Sequence, residues 1–151
     1  MGSEHETWMR EAIRLAGEAR ERGDEPFGAL LVVHGTCILE ARNAINTEKD
    51  VTQHAELRLI SKASRRLDSN DVATATLYTS TEPCAMCSGA IYWSGASHMV
   101  FGFPASSLSE MTGGSGLHQP SRHVLGNASR QVTIEGPILE NEARAVHEGY
   151  W

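Results

Sequence analysis

The chain has 151 residues, enough for one domain that buries roughly two-thirds of its unfolded surface without help from disulfides. Its formal net charge is −6, with 13 basic residues against 19 acidic ones, the reverse of the balance that grips a phosphate backbone. No apolar run approaches the roughly twenty residues of a membrane helix, and no basic segment followed by an apolar one marks an export signal. The expectation is a single domain over residues 1–151, cytoplasmic, engaging neither membrane nor nucleic acid.

Residues 7–22 predict an amphipathic helix, because Trp8, Ala12, Leu15, Ala16 and Ala19 recur at three- and four-residue spacing before Gly23. The β-rich runs 27–33 and 37–41 flank His34-Gly35 and read as a hairpin. Residues 43–53 are polar and irregular, a loop. Helical spacing returns over 54–67, followed by a strand at 75–81, a helix at 84–93 and a strand at 98–103. Residues 103–126, rich in Ser and Gly, form a long irregular stretch of the kind that more often serves function than idles. A last strand is expected at 131–135 and a last helix at 138–150. Trp8 and Trp93, on helix faces, are read as core. The order β-β-α-β-α-β describes a sheet covered by helices, an α/β layered fold.

The three cysteines are an odd count, and two stand as Cys84-Ala85-Met86-Cys87. In a chain without export signals that spacing favours metal or redox chemistry. His54-Ala55-Glu56 lies some thirty residues upstream, and Pro83 precedes the first cysteine. His-x-Glu followed by Pro-Cys-x-x-Cys is the known signature of zinc deaminases. The chemistry explains the residue types. A catalytic zinc takes three protein ligands and leaves one position for water, and His54, Cys84 and Cys87 make three. Cysteines at a helix N-terminus gain thiolate character from the local positive potential, and Pro83 suits a helix start, where its missing N–H costs nothing. Zinc lowers the pKa of water to about 7, which makes hydroxide available to attack a ring carbon bearing an amino group. Glu56 is the candidate proton carrier and not a ligand. A redox Cys pair would not call for the upstream His-x-Glu. A structural zinc site would need a fourth protein ligand; His34, His98, His118, His123 and Cys37 are the candidates, none with ligand-like spacing. Cys37, inside an apolar strand, reads as a small core residue.

Beyond that signature, Pro26-Phe27-Gly28-Ala29, Asn43, Leu77-Tyr78-Thr79, Glu82-Pro83-Cys84-Ala85-Met86-Cys87, Gly89-Ala90-Ile91 and Val100-Phe101-Gly102 recur nearly end to end. They resemble the cytidine deaminase-like superfamily, in the branch of bacterial guanine deaminases, tRNA adenosine deaminases and fungal-type cytosine deaminases. The resemblance implies a three-layer α/β/α fold with a five-stranded mixed sheet. It also implies a Zn2+ cofactor and a homodimer whose partner helps wall the active site. Asn43, eleven residues before His54, matches the asparagine that hydrogen-bonds the substrate ring in that branch; the alternatives are that Asn43 shapes its loop, or that nearby Asn46 takes the role. Ala55, Trp93 and Trp151 complete the candidate substrate contacts. Glu82 supports the site from behind.

The resemblance divides over substrate. Ile91-Tyr92-Trp93 is similar to the guanine deaminases, whereas Met111-Thr112-Gly113-Gly114-Ser115-Gly116 and the segment from Val132 to Leu139 are similar to the tRNA deaminases. Asp50-Val51-Thr52-Gln53 replaces the usual Asp-Pro-Thr-Ala before the histidine. The C-terminal segment carries Glu140, Glu142 and Glu148 where a tRNA enzyme would tend to be basic. A small free base is therefore expected, with a guanine-like purine first; cytosine, a nucleoside, an aminotriazine and tRNA adenosine are the alternatives. Tyr150-Trp151 at the end of the sequence has three readings: packing on the core, dimerisation, or closure over the substrate.

Overall fold

Six consecutive small or apolar residues cannot alternate between core and water, so Gly28–Val33 must be covered on both faces. This segment is strand β1, and every residue in it is buried. The computed structural model describes residues 3–114, 116–117 and 119–151; Ser115 and His118 lie outside them. Strand β2 (Thr36–Arg42) pairs antiparallel with β1 through the turn at His34 and Gly35, both with positive φ. On its other side β1 pairs antiparallel with β3 (Thr76–Thr81). Strands β4 (His98–Phe103) and β5 (Thr133–Glu135) follow in parallel, giving one five-stranded mixed sheet of order β2-β1-β3-β4-β5.

The helices are α1 (Ser3–Glu21), α2 (Ile45–Glu48), α3 (Ala55–Arg66), α4 (Ser69–Thr74), α5 (Ala85–Ser94), α6 (Ala105–Met111), α7 (Ser121–Leu125) and α8 (Glu140–Ala145). Side chains alternate across the sheet with the two-residue period of a strand. Leu30, Val32, Tyr78 and Val100 pack under Met9, Ala12 and Leu15 of α1. Ala29, Leu31, Leu77, Met99 and Phe101 pack on the other face against Leu59 and Ala63 of α3 and Ile91 of α5. The layers are α/β/α, as the sequence implied. Trp8 is half-buried beside the α1 layer, but Trp93 is not core: it is 83% exposed, standing edge-on to Tyr92.

The last two expected elements are shorter than read, and the long loops contain helices. The final helix stops at Ala145, because the chain turns at Val146–Gly149, Gly149 adopting φ 76, to drive His147 into the core. Glu148 therefore lies outside that helix. The last strand begins at Thr133, where the three β5 residues find their β4 partners. The 103–126 stretch holds α6 and α7, and the 43–53 loop holds α2, closed by Lys49 at φ 53. Helix α4 was not read from sequence at all; Asp68 caps it by accepting from the Asp71 backbone N–H at 2.8 Å.

One close approach sets the spacing between α1 and the sheet. A Cβ on Gly28 would stand 2.5 Å from the Ala12 carbonyl oxygen and 2.6 Å from the Ala16 nitrogen. Backbone cannot yield as a side-chain tip can. Gly28→Ala is expected to cost about 1–3 kcal/mol through overpacking, read by denaturant unfolding; an unchanged midpoint would show that α1 lifts away freely.

Candidate metal and active site

Two helix starts meet below the sheet. His54 is the N-cap of α3 and Cys84 the N-cap of α5, both in extended backbone that turns their side chains out of the helical rise. Cys87 follows one turn along, fully buried. His54 Nδ1 lies 3.6 Å from Cys84 Sγ and 3.5 Å from Cys87 Sγ. Zinc–nitrogen bonds of about 2.0 Å and zinc–sulfur bonds of about 2.3 Å place N and S about 3.5 Å apart in a tetrahedron, so the three donors fit one zinc ion. Among the described residues the group has three protein donors, the number of a catalytic site. The other described candidates stand elsewhere. His34 is exposed in the hairpin turn, His123 is exposed beside Gln119, Cys37 is half-buried in β2, and His98 joins a different cluster.

Glu56, in the first turn of α3, is only 4% exposed, and its Oε2 accepts from the Thr79 hydroxyl at 3.0 Å. Burial, reinforced by the neighbouring Cys84 sulfur, raises its carboxyl to about 7. The Cys84 thiol is pulled down to about 4, first by a hydrogen bond from Cys87 and then by His54. Cys84 is therefore the thiolate of the pair, the form a metal requires, whereas the hydrogen bond to Cys84 and burial push the Cys87 thiol up. Glu82, by contrast, is committed to structure. Its Oε1 accepts from the Ala105 N–H at 2.9 Å, and its Oε2 accepts from the Ser121 N–H at 2.7 Å and the Ser121 hydroxyl at 2.6 Å. One carboxylate thus fixes the starts of α6 and α7 around the site.

The donors open into a cavity of about 460 Å³ whose walls include Glu25, Phe27, His54, Glu56, Cys84 and Trp151. Trp151 is half-exposed yet anchored: its indole Nε1 donates to His147 Nδ1 at 3.1 Å, and the two rings stack with centroids 6.2 Å apart. With Nδ1 accepting, the neutral His147 ring carries its proton on Nε2, 2.7 Å from the Thr81 hydroxyl. His147 itself lies between Phe27 and Phe103. Neither Phe27 nor His147 had been singled out from the sequence as a site residue, because their contribution depends on the turn after α8. Ala55 is buried in the core at the start of α3. Trp93 lines no part of the cavity. Asn43 is buried; its Oδ1 accepts from the Glu25 and Ile45 backbone N–H groups at 3.2 and 3.1 Å, shaping the loop, while its Nδ2 has no partner. Asn46 is tied to the Gly23 carbonyl at 2.9 Å, and neither asparagine forms part of the cavity walls.

The family model of the cytidine and deoxycytidylate deaminase zinc-binding region matches residues 2–103, including every residue of this donor set and Glu56. The chain belongs to that family. It is 45% identical over 152 residues to a Schizosaccharomyces pombe protein named "Probable cytosine deaminase", covering 95% of this chain and 90% of that one. It is 41% identical over 100 residues to the tRNA-specific adenosine deaminase of Bacillus subtilis, covering 66% of this chain but only 62% of that relative. A solved guanine deaminase from Nitrosomonas europaea is similar with a TM-score of 0.80 at 25% identity, covering 91% of this chain and 79% of that one. The chain is a hydrolytic deaminase of the cytidine deaminase-like fold with zinc as its cofactor. No helix among the described residues is long and apolar enough to cross a membrane.

The His147 anchor carries a pH dependence. Burial, aided by the charge of Arg20, lowers its imidazole to about 4 from an ordinary 6.5. A folded-state value below the unfolded one means that His147 stabilises the neutral-pH fold fully above pH 6.5 and loses this contribution as pH falls toward 4. That contribution is roughly 3 kcal/mol. The stability gap between the native protein and His147→Gln should therefore shrink on lowering pH from 7 to 4, measured by urea unfolding. A gap that is constant across this range would contradict it.

Proposed function

We propose that this protein hydrolyses the exocyclic amino group of a small free nucleobase, releasing ammonia and leaving a ring carbonyl. The observation that carries this reading is the anchored Trp151, whose indole forms part of the cavity wall together with Phe27, the Cys84 donor and Glu56. Such a wall offers an aromatic face to one heteroaromatic ring. A zinc ion held by His54, Cys84 and Cys87 would supply a water acidic enough to act as nucleophile at neutral pH. The chain's own residues do the rest. Glu56 takes the proton released by that water and delivers it to the ring nitrogen beside the attacked carbon. It then takes the remaining water proton from the hydroxyl now on that carbon, leaving a carbonyl, and hands it to the departing amine. The atoms balance as water plus aminated ring giving oxo ring plus ammonia. The Thr79 hydroxyl orients the carboxylate by donating to Oε2. Asn43 Nδ2, buried with no partner, has a donor to offer a ring acceptor, while its Oδ1 is occupied by backbone.

Two rings have specific support. Cytosine is favoured by the near full-length likeness to the S. pombe relative. A guanine-like purine, the first expectation from sequence, is favoured by the likeness to the N. europaea guanine deaminase. Against tRNA stands the acidic C-terminal segment, in which Glu142 pairs with Arg10 at 3.2 Å and Arg65 and Arg66 face solvent at the far end of α3. We also propose a homodimer. Exposed Trp93, Val51, Met86 and Leu117 are large apolar residues that a second copy would cover.

Ammonia release by the zinc-loaded protein against cytosine, guanine, adenine, their nucleosides, aminotriazines and a tRNA anticodon stem tests the reading. Turnover of a free base, with none on RNA, is expected. Glu56→Gln should retain zinc and lose at least about a hundredfold in kcat, the usual scale of a lost proton carrier. Activity confined to the anticodon stem would overturn the small-base reading.

A further inference from the structure

Among the described residues, a second cluster of metal-ligating side chains lies on the opposite face of the sheet from the His54 group. The first turns of α1 supply His5, the start of β4 supplies His98, and β5 supplies Glu135; their ligand atoms all lie within 4.8 Å of one another. His98 shares its face with Val100, two residues on, and Val100 packs under α1. The wide separation of these three residues in sequence leaves no spacing motif, so only the fold brings them together.

The geometry is that of a ligand set held from behind. His5 Nε2 is 3.3 Å from Glu135 Oε2, and His98 Nε2 hydrogen-bonds the same oxygen. Each ring turns its other nitrogen to a hydroxyl: His5 Nδ1 is 2.8 Å from the Tyr78 OH, and His98 Nδ1 is 3.5 Å from the Thr76 Oγ1. Imidazoles that bind a metal through one nitrogen are usually oriented by such a bond at the other. Burial is the main cause that pushes the Tyr78 hydroxyl up to about 12, so it remains a phenol beside the pair. With metal–ligand bonds of about 2.0–2.1 Å, neighbouring nitrogen and oxygen donors stand about 3.3–3.4 Å apart in a tetrahedron; the His5–Glu135 separation meets this, whereas the closer His98–Glu135 hydrogen bond must open for an ion to take the place of its proton. The side chains of His5, His98 and Glu135 are 27%, 30% and 42% exposed, which leaves a path for an ion and room for water ligands.

We propose that His5, His98 and Glu135 form a second metal site, taking zinc or another late first-row divalent ion. Two imidazoles and one carboxylate suit those ions, whereas magnesium and calcium favour all-oxygen sets. The site is independent of the deaminase centre. Its effect is structural, tying the start of α1 to the parallel edge of the sheet, where β5 contributes only three residues.

The test starts from protein holding one zinc per chain in the His54 site and adds Zn2+ by isothermal titration calorimetry. A second equivalent should bind to the native protein and raise its melting temperature. His5→Gln and Glu135→Gln should bind that equivalent at least tenfold more weakly and lose the thermal shift, while keeping the first zinc and deaminase turnover. His5 and Glu135 are both partly exposed, so these substitutions leave the cores untouched. Absence of a second equivalent in the native protein would overturn the proposal and leave His5, His98 and Glu135 as an ion-paired cluster. So would a second equivalent that both variants retain.

Discussion

The site depends on two helix starts that must point at one spot. Zinc imposes a separation of about 3.5 Å between an imidazole nitrogen and each thiolate, and that demand is met by residues whose helices lie on one side of the sheet. Cys84 and Cys87 share α5, one turn apart, but His54 comes from α3. Their meeting requires the packing of Leu59, Ala63 and Ile91 against Ala29, Leu31, Leu77 and Phe101 to be right to a fraction of an ångström. The hydrophobic face is thus the template for the coordination geometry. The same constraint buries Glu56 beside the donors, where its proton affinity is raised by the absence of water.

Around this centre the fold places supports whose loss would be felt indirectly. Glu82 gathers three donors from the starts of α6 and α7, so the segment that closes one side of the cavity is hung from a buried carboxylate. His147 plays the corresponding part on the other side. It joins Thr81 of β3 to the C-terminal indole and is itself wedged between Phe27 and Phe103. Core packing and cavity wall are therefore two functions of one arrangement in the tail, not alternatives.

Much of this was legible in the sequence because its signals were local. The α1 stripe, the hairpin at His34-Gly35 and the two halves of the signature, His54 to Glu56 and Cys84 to Cys87, are each written within a few residues. Elements set by distant partners were not. Helix α8 ends early because His147 is drawn inward by residues of β3 and by Phe27, which no local period records. Trp93 sits at a position that reads as core, yet the described chain gives its ring no cover apart from Tyr92. Helix α4 was missed for the opposite reason: the Asp68 cap was present, but the segment is too short for periodicity to speak. Asn43 shapes its loop through Oδ1, a role that depends on Glu25 as well as on its own neighbours in sequence, and its Nδ2 is left without a partner.

The central claim is that His54, Cys84 and Cys87 hold the zinc and leave one position to a light atom. X-ray absorption at the zinc edge, on protein loaded with a single equivalent, measures this directly. Two sulfurs at about 2.3 Å and two nitrogen or oxygen neighbours at about 2.0 Å are expected. A shell of four sulfurs, or one with none, would place the metal elsewhere and contradict the account.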